Sequence, residues 1–298
     1  MTMPVPELPA DVPTNWGRWG ADDQLGTLNF ITDAARARGV AAAATGRTVS
    51  LAYPVTPVPL SGPLPFGHSP AAMPAGVLQI VNLHGSPARA ATDVLIINTH
   101  HADLTHIDAV VHVPSDGAVY PGVPLDQAVF LGSVTHGSTA AFAGGITTRG
   151  VLLDLAPGGR LEPGRDVTAD DLDAAETQAG LRVESGDALV VRGGWRVTPN
   201  ATEPLPAMSI DAVRWMADRE VSVYAGDISD RPPFPPSGPL AMHQVALPLL
   251  GMPLIDGPDV TALAAACSEF GRYSFLFVVG PLPLVGATGM PVNPLAIF

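Results

Sequence analysis

The chain has 298 residues, 47% hydrophobic and only 14% charged, with a formal net charge of −13 in which all 15 cationic side chains are arginine. The absence of lysine removes Schiff-base chemistry, a pyridoxal anchor and a phosphate-loop lysine; a negative balance without basic runs excludes nucleic acid and anionic membrane as partners. Cys267 is the only cysteine, so neither a disulfide framework nor a multi-cysteine metal site exists, and its alanine-rich context reads as a buried helix interior.

The length suits one large core, and a single domain over residues 1–298 is expected. The N-terminus lacks the basic and apolar regions of a signal peptide. Two charge-free stretches, 232–255 and 273–298, are broken by Pro248, Pro253, Pro281 and Pro283. Proline removes a backbone donor that a spanning helix needs, so these stretches read as turn-rich core of a soluble, cytoplasmic protein.

In chain order, Thr32 caps a predicted helix over 34–44, followed by β-branched runs bounded by turn residues that predict strands at 48–53, 77–83, 94–98 and 151–155. Thr168 caps a helix over 169–178, a strand follows at 188–192, Ser209 caps a helix over 210–219, and strand 221–224 comes next. The last helix runs from Pro258 to about Phe270, where Gly271 ends it, before strand 273–279. Most of these strands are continuously apolar and are therefore expected to be buried on both faces. The result is a strand-rich α/β protein without the regular alternation of a doubly wound sheet.

No two glycines are separated by a single residue, so a dinucleotide fingerprint is missing and no nucleotide cofactor is expected. The nearest approach to a serine-nucleophile elbow, at 67–71, lacks its final glycine. The informative segment is 98–112, which holds four of the eight histidines (His100, His101, His106 and His112) together with Asp103 and Asp108. In an extended chain alternate residues share a face, which puts His106, Asp108 and His112 together. Imidazole plus carboxylate suits Zn, Mn or Fe, and a further imidazole can act as a base.

The run Thr105 to His112, T-H-I-D-A-V-V-H, resembles the end of the H-x-G-T-H-x-D-x-P-x-H signature of the cyclase family of metal-dependent hydrolases, which includes bacterial kynurenine formamidase, isatin hydrolase and some aromatic polyketide cyclases. Similar to its larger members are 15–23 with 26–29, 149–154, 186–192, 243–256, and 281–283 with 289–294, so the resemblance spans the chain. It implies a swivelling β/β/α fold of α/β class in one domain, with residues 1–30 as an arm packing on the domain or on a partner subunit of a homodimer. It also implies His106 and Asp108 as metal ligands, His112 as the acid and base, His243 as the downstream histidine, and Asp256 near the family's Glu or Gln. Trp16 and Trp19 are candidates for the wall of an aromatic substrate site, with a core anchor as the other option; Asp227, ending an apolar strand, is a candidate substrate contact.

The signature's first histidine falls on Ala102, which has no donor atom, while Leu104 replaces its glycine and Val110 its proline. His101 and Asp103 are the near replacements, although neighbours on a strand face opposite ways. Three functions stay open for a small-molecule substrate. One is hydrolysis of a cyclic or N-acyl amide, with Zn or Mn on His106, Asp108, His243, and His101 or Asp256. Another is metal-free cyclisation or dehydration of a polyketide-like carbonyl in secondary metabolism. The third is a non-catalytic binding homologue.

Overall fold

Period-2 alternation sorts the central apolar strands onto two cores. Val151, Leu153, Leu189 and Val191 belong to one, and Leu152 and Val190 to the other. The computed structural model describes residues 11–60, 75–196, 202–231 and 240–298; the 67–71 motif lies outside them. The principal elements are α1 (Asp33–Ala42), β1 (Thr48–Ser50), β2 (Val77–His84), β3 (Ala90–Ile97), β4 (His106–Asp108), β5 (Ile146–Asp154), α2 (Ala169–Ala179) and β6 (Ala188–Arg192). They continue with α3 (Ile210–Asp218), β7 (Val223–Gly226), β8 (Leu254–Asp256), α4 (Thr261–Phe270), β9 (Ser274–Val279), β10 (Gly289–Pro291) and β11 (Leu295–Ile297).

A nine-stranded mixed sheet runs in the order β1-β11-β9-β5-β6-β7-β8-β4-β10. β5 to β8 are parallel, and the strands outside them pair antiparallel. Leu172 and Ala175 of α2, with Val213 and Met216 of α3, cover one face; Leu263, Ala266 and Cys267 of α4 cover the other. The sheet is therefore buried on both sides, as its continuous apolar runs require. Burial pushes the Cys267 thiol up to about 12, which suits packing and not nucleophilic chemistry.

The helix starts follow the capping residues. Thr32 and Ser209 accept from Ala35 and Ala212 backbone N–H groups, and Thr168 forms a capping box with Asp171. Gly271 closes α4 in the left-handed conformation.

Strands β2 and β3 depart from expectation. They form a hairpin in a separate three-stranded sheet, and beyond Val77 and Leu78 at its base the apolar residues Ile80, Val81, Leu83, Val94 and Leu95 are exposed. An apolar run fits a buried strand, but burial also needs a covering layer, and among the described residues none lies over this hairpin.

Residues 11–30 form an arm on the same chain: Asn15 N–H donates to the Leu249 carbonyl, Trp16 Nε1 to Pro248, and Thr27 N–H to Gly251. The arm thus braces the segment that follows His243. No helix is long and apolar enough to cross a membrane among the described residues.

Candidate active site

The site is built on β4, an interior strand flanked by β8 and β10. Ile107 is fully buried in the core on the α4 side, so His106 and Asp108 point to the opposite face, both buried. Asp256 of β8 is the register partner of His106 and shares that face. His112 follows β4 in a turn closed by a bond from its N–H to the Ala109 carbonyl. His243 lies in a π-helical turn, Ala241–Ala246. Asp230 holds it there, accepting from the backbone N–H of Met242 at 3.1 Å and of His243 at 2.9 Å, and from the His243 Nδ1 at 2.8 Å.

A further imidazole enters from a position the alternation argument passed over. Residues 98–104 are not extended: His101 N–H bonds to the Asn98 carbonyl and Leu104 N–H to the His101 carbonyl, making two successive turns. They deliver His100 to the site, with its Nδ1 at 2.9 Å from Asp108 Oδ1 and its ring stacked on His112 at 3.6 Å between centroids and 4° between planes. His101 turns away to Asp103, 3.4 Å from its Oδ2, and does not join Asp108. The expectation that His101 supplies a ligand is corrected accordingly; four histidines in fifteen residues were the only signal for His100.

Three of the histidines share one pattern. His106 Nδ1 donates to the Leu104 carbonyl at 2.9 Å, His243 Nδ1 engages Asp230, and His100 Nε2 lies 2.9 Å from Thr288 Oγ1. In each ring the second nitrogen is left facing Asp108, at 3.6 Å for His106 Nε2, 3.4 Å for His243 Nε2 and 2.9 Å for His100 Nδ1. Yet these contacts are charge contacts without hydrogen-bond alignment: neither Asp108 oxygen, nor His100 Nδ1, nor Asp256 Oδ1 makes an aligned hydrogen bond. Buried donors and acceptors rarely stay unpaired. Nitrogens and oxygens that converge without such alignment, each nitrogen oriented by an outer hydrogen bond, are what a cation site requires. Two overlapping sets, His100–Asp108–His112 and His106–Asp108–Asp256, each keep their donor atoms within 4.8 Å of one another. A divalent metal fits these residues.

The charges follow from packing. Burial alone would raise the Asp108 carboxyl, but the imidazoles of His100, His243, His106 and His112 overrule it and hold it well below the usual range. Burial likewise opposes charge on His243, and Asp256, Asp108 and Asp230 overrule it, so its value is raised well above the ordinary one. His112 is shifted down to about 4, chiefly by burial and against the pull of Asp108, and is therefore a neutral imidazole at neutral pH.

These groups floor a cavity of about 370 Å³ whose walls include Ala102, Leu104, Val113, Leu205, Ile228 and Leu240. Asp227 also lines it, but its carboxylate accepts from the backbone N–H groups of Gly193, Gly194 and Trp195 at 2.5, 2.9 and 3.0 Å. It fixes the 193–195 turn at the cavity wall. Trp16 and Trp19 are not in the cavity wall. Trp16 packs beside Gly122 and bonds Pro248, and Trp19 meets Phe30 edge-on at 5.0 Å, so both anchor the arm. Asp230 and Thr288, unremarked in the sequence, orient ring nitrogens; no local spacing marks either.

Residues 49–230 match the Cyclase family, which is more than half of the chain. The chain belongs to the Cyclase family. A crystal structure of a novel cyclase is 27% identical, with TM-score 0.80, covering 96% of this chain and 98% of that one. An isatin hydrolase bound to the product analogue thioisatinate gives TM-score 0.61 at 15% identity, over 90% and 99% of the two chains. Isatin hydrolase A from Ralstonia solanacearum gives 0.57 at 17%, over 84% and 91%. Both hydrolases share the fold. No curated protein matches the chain. As a Cyclase-family member the protein has the strand-rich, single-domain α/β architecture of its structural neighbours, with the curled mixed sheet carrying the histidine cluster.

Proposed function

We propose that the protein is a metal-dependent hydrolase that opens a cyclic or N-acyl amide at its C–N bond. The observation that carries this is the fully buried Asp108 carboxylate, without an aligned hydrogen bond at either oxygen and faced by ring nitrogens already oriented by outer hydrogen bonds, at the floor of a largely apolar cavity. His106 and His243 through Nε2, with Asp108 and Asp256, would hold a divalent ion such as Zn or Mn. When bound, such an ion supplies Lewis acidity towards a carbonyl and acidifies water.

The chain's own residues do the rest. His112 faces the same cavity and is neutral, so it accepts a proton from the attacking water and returns it to the departing nitrogen. Leu104, Val113, Leu205 and Ile228 present an apolar wall that holds a flat, uncharged substrate and keeps bulk water from the reacting carbonyl. Asp230 keeps the His243 ring turned towards Asp108.

The test is hydrolysis of a panel of aromatic lactams and N-acyl anilines by protein loaded with Zn or Mn, beside His112→Ala and Asp108→Asn. His112→Ala is expected to keep its metal and lose about 10²- to 10⁴-fold in kcat. Asp108→Asn is expected to lose metal and activity together. Full turnover by Asp108→Asn, or by wild-type protein stripped of metal, would overturn the proposal.

A further inference from the structure

The proposal above leaves the signature position occupied by Ala102 without a donor. We propose that His100 is a metal ligand that takes the place of the missing signature histidine, reaching the site from two residues earlier in the chain; this rests on the metal reading just given. Four observations converge on it. The turns at 98–101 and 101–104 shorten the path along the chain, so that a side chain two positions upstream arrives at Asp108. Its Nδ1 is buried and lies 2.9 Å from Asp108 Oδ1, and neither atom has an aligned hydrogen bond to any group. Its other nitrogen is tied at 2.9 Å to Thr288 Oγ1, a residue 188 positions away, as the outer nitrogen of a ligating histidine commonly is.

The fourth observation is space. A Cβ at Gly289 would lie 2.5 Å from His100 Cε1 and 2.7 Å from the Ile107 carbonyl oxygen, so only glycine leaves the ring its place. Ala102 lines the same cavity and is small enough not to compete for that volume. The loop departures fit as well: Leu104, where the signature has glycine, is buried against Gly76, whose own Cβ would lie 2.7 Å from Leu104 Cγ. The substitutions at 102 and 104 therefore belong to one rearranged loop that still brings an imidazole to the site.

Cobalt(II) titration of the metal-stripped protein, followed by calorimetry and by visible d–d absorption, tests this without reference to any substrate. Wild-type protein is expected to take up cobalt. His100→Ala is expected to bind on the order of 100-fold more weakly, with shifted d–d bands. His100→Phe keeps a ring to stack on His112 but offers no donor, and is expected to lose the same affinity. His100→Ala/Ala102→His restores an imidazole at the signature position and is expected to regain at least tenfold. Circular dichroism of each variant without metal verifies the fold. Wild-type affinity and bands in folded His100→Phe would overturn the assignment, because the ring then serves only to stack. So would a double variant that gains nothing over His100→Ala. Wild-type protein that takes up no cobalt would sink the metal reading itself, a failure distinct from that of His100.

Discussion

At Asp227 burial and hydrogen bonding pull one carboxyl in opposite directions. Burial is the larger effect and raises it to about 6 from an ordinary 3.8, against the N–H groups of Gly193, Trp195 and Gly194. Between those values the folded protein holds a proton that the unfolded chain has released, so this group's contribution to stability is fully present below about pH 4 and is lost as pH rises through about 6. A two-unit shift corresponds to about 3 kcal/mol. Urea unfolding of wild-type protein and Asp227→Asn at pH 4 and pH 7 should show the wild-type advantage shrinking by up to that amount as pH rises; an unchanged difference would show that the carboxyl stays ionised throughout. Single residues were also where the sequence was most and least legible. His106 and Asp108 could be read as sharing a face because strand alternation dictates which way they point, whereas Asp256 was expected from the resemblance alone and meets His106 through a register that no local pattern supplies. His100 could not be read, since its direction is set by two turns whose bonds run from His101 to Asn98 and from Leu104 to His101, and by a contact with distant Thr288. Asp227 ended a strand as expected, yet nothing local foretold that the 193–195 turn would occupy its oxygens.

Elements were readable where they carry their own start and stop signals. Thr32, Thr168 and Ser209 cap helices within one or two residues of their expected positions, and Gly271 ends the last one. The π-helical turn at Ala241–Ala246 carries no such signal, since one residue more per turn than an α-helix allows leaves no compositional mark. It nevertheless aims His243. Asp230 accepts three bonds at the start of this turn, two from backbone and one from the imidazole. Asp230→Asn keeps the shape but weakens the acceptor, and is expected to reduce metal affinity by about 10- to 100-fold while leaving far-UV circular dichroism unchanged. Metal titration decides it, and an unchanged affinity would reduce Asp230 to a helix cap. The β2–β3 hairpin teaches the opposite lesson: its apolar strands were found, but their exposure depends on what covers them, and that is not a property of the strands.

For the molecule as a whole, the strand order is the part that local patterns could not supply. β4 sits between strands that begin 148 and 183 residues after it, at 254 and 289. Its ligands therefore come together only when the far edge of the nine-stranded sheet has closed, a topology that costs long loop closures before the contacts repay them. The hairpin lies outside that cooperative unit. Among the described residues it is tied to the rest through the buried Val77 and Leu78 at its base and the pairing of Val58 and Pro59 with Leu78 and Gln79, while Arg89 at its turn is exposed. A hairpin secured at one end can open locally at little cost while the core stays shut. In a chain without lysine, trypsin can act only at arginine, which makes Arg89 a built-in reporter. Brief digestion should nick the chain there and leave two fragments that still travel together and still take up metal; loss of metal on nicking would show that the hairpin helps to support the site. The projecting hairpin would then be a place where the chain can be opened at one bond without losing its chemistry.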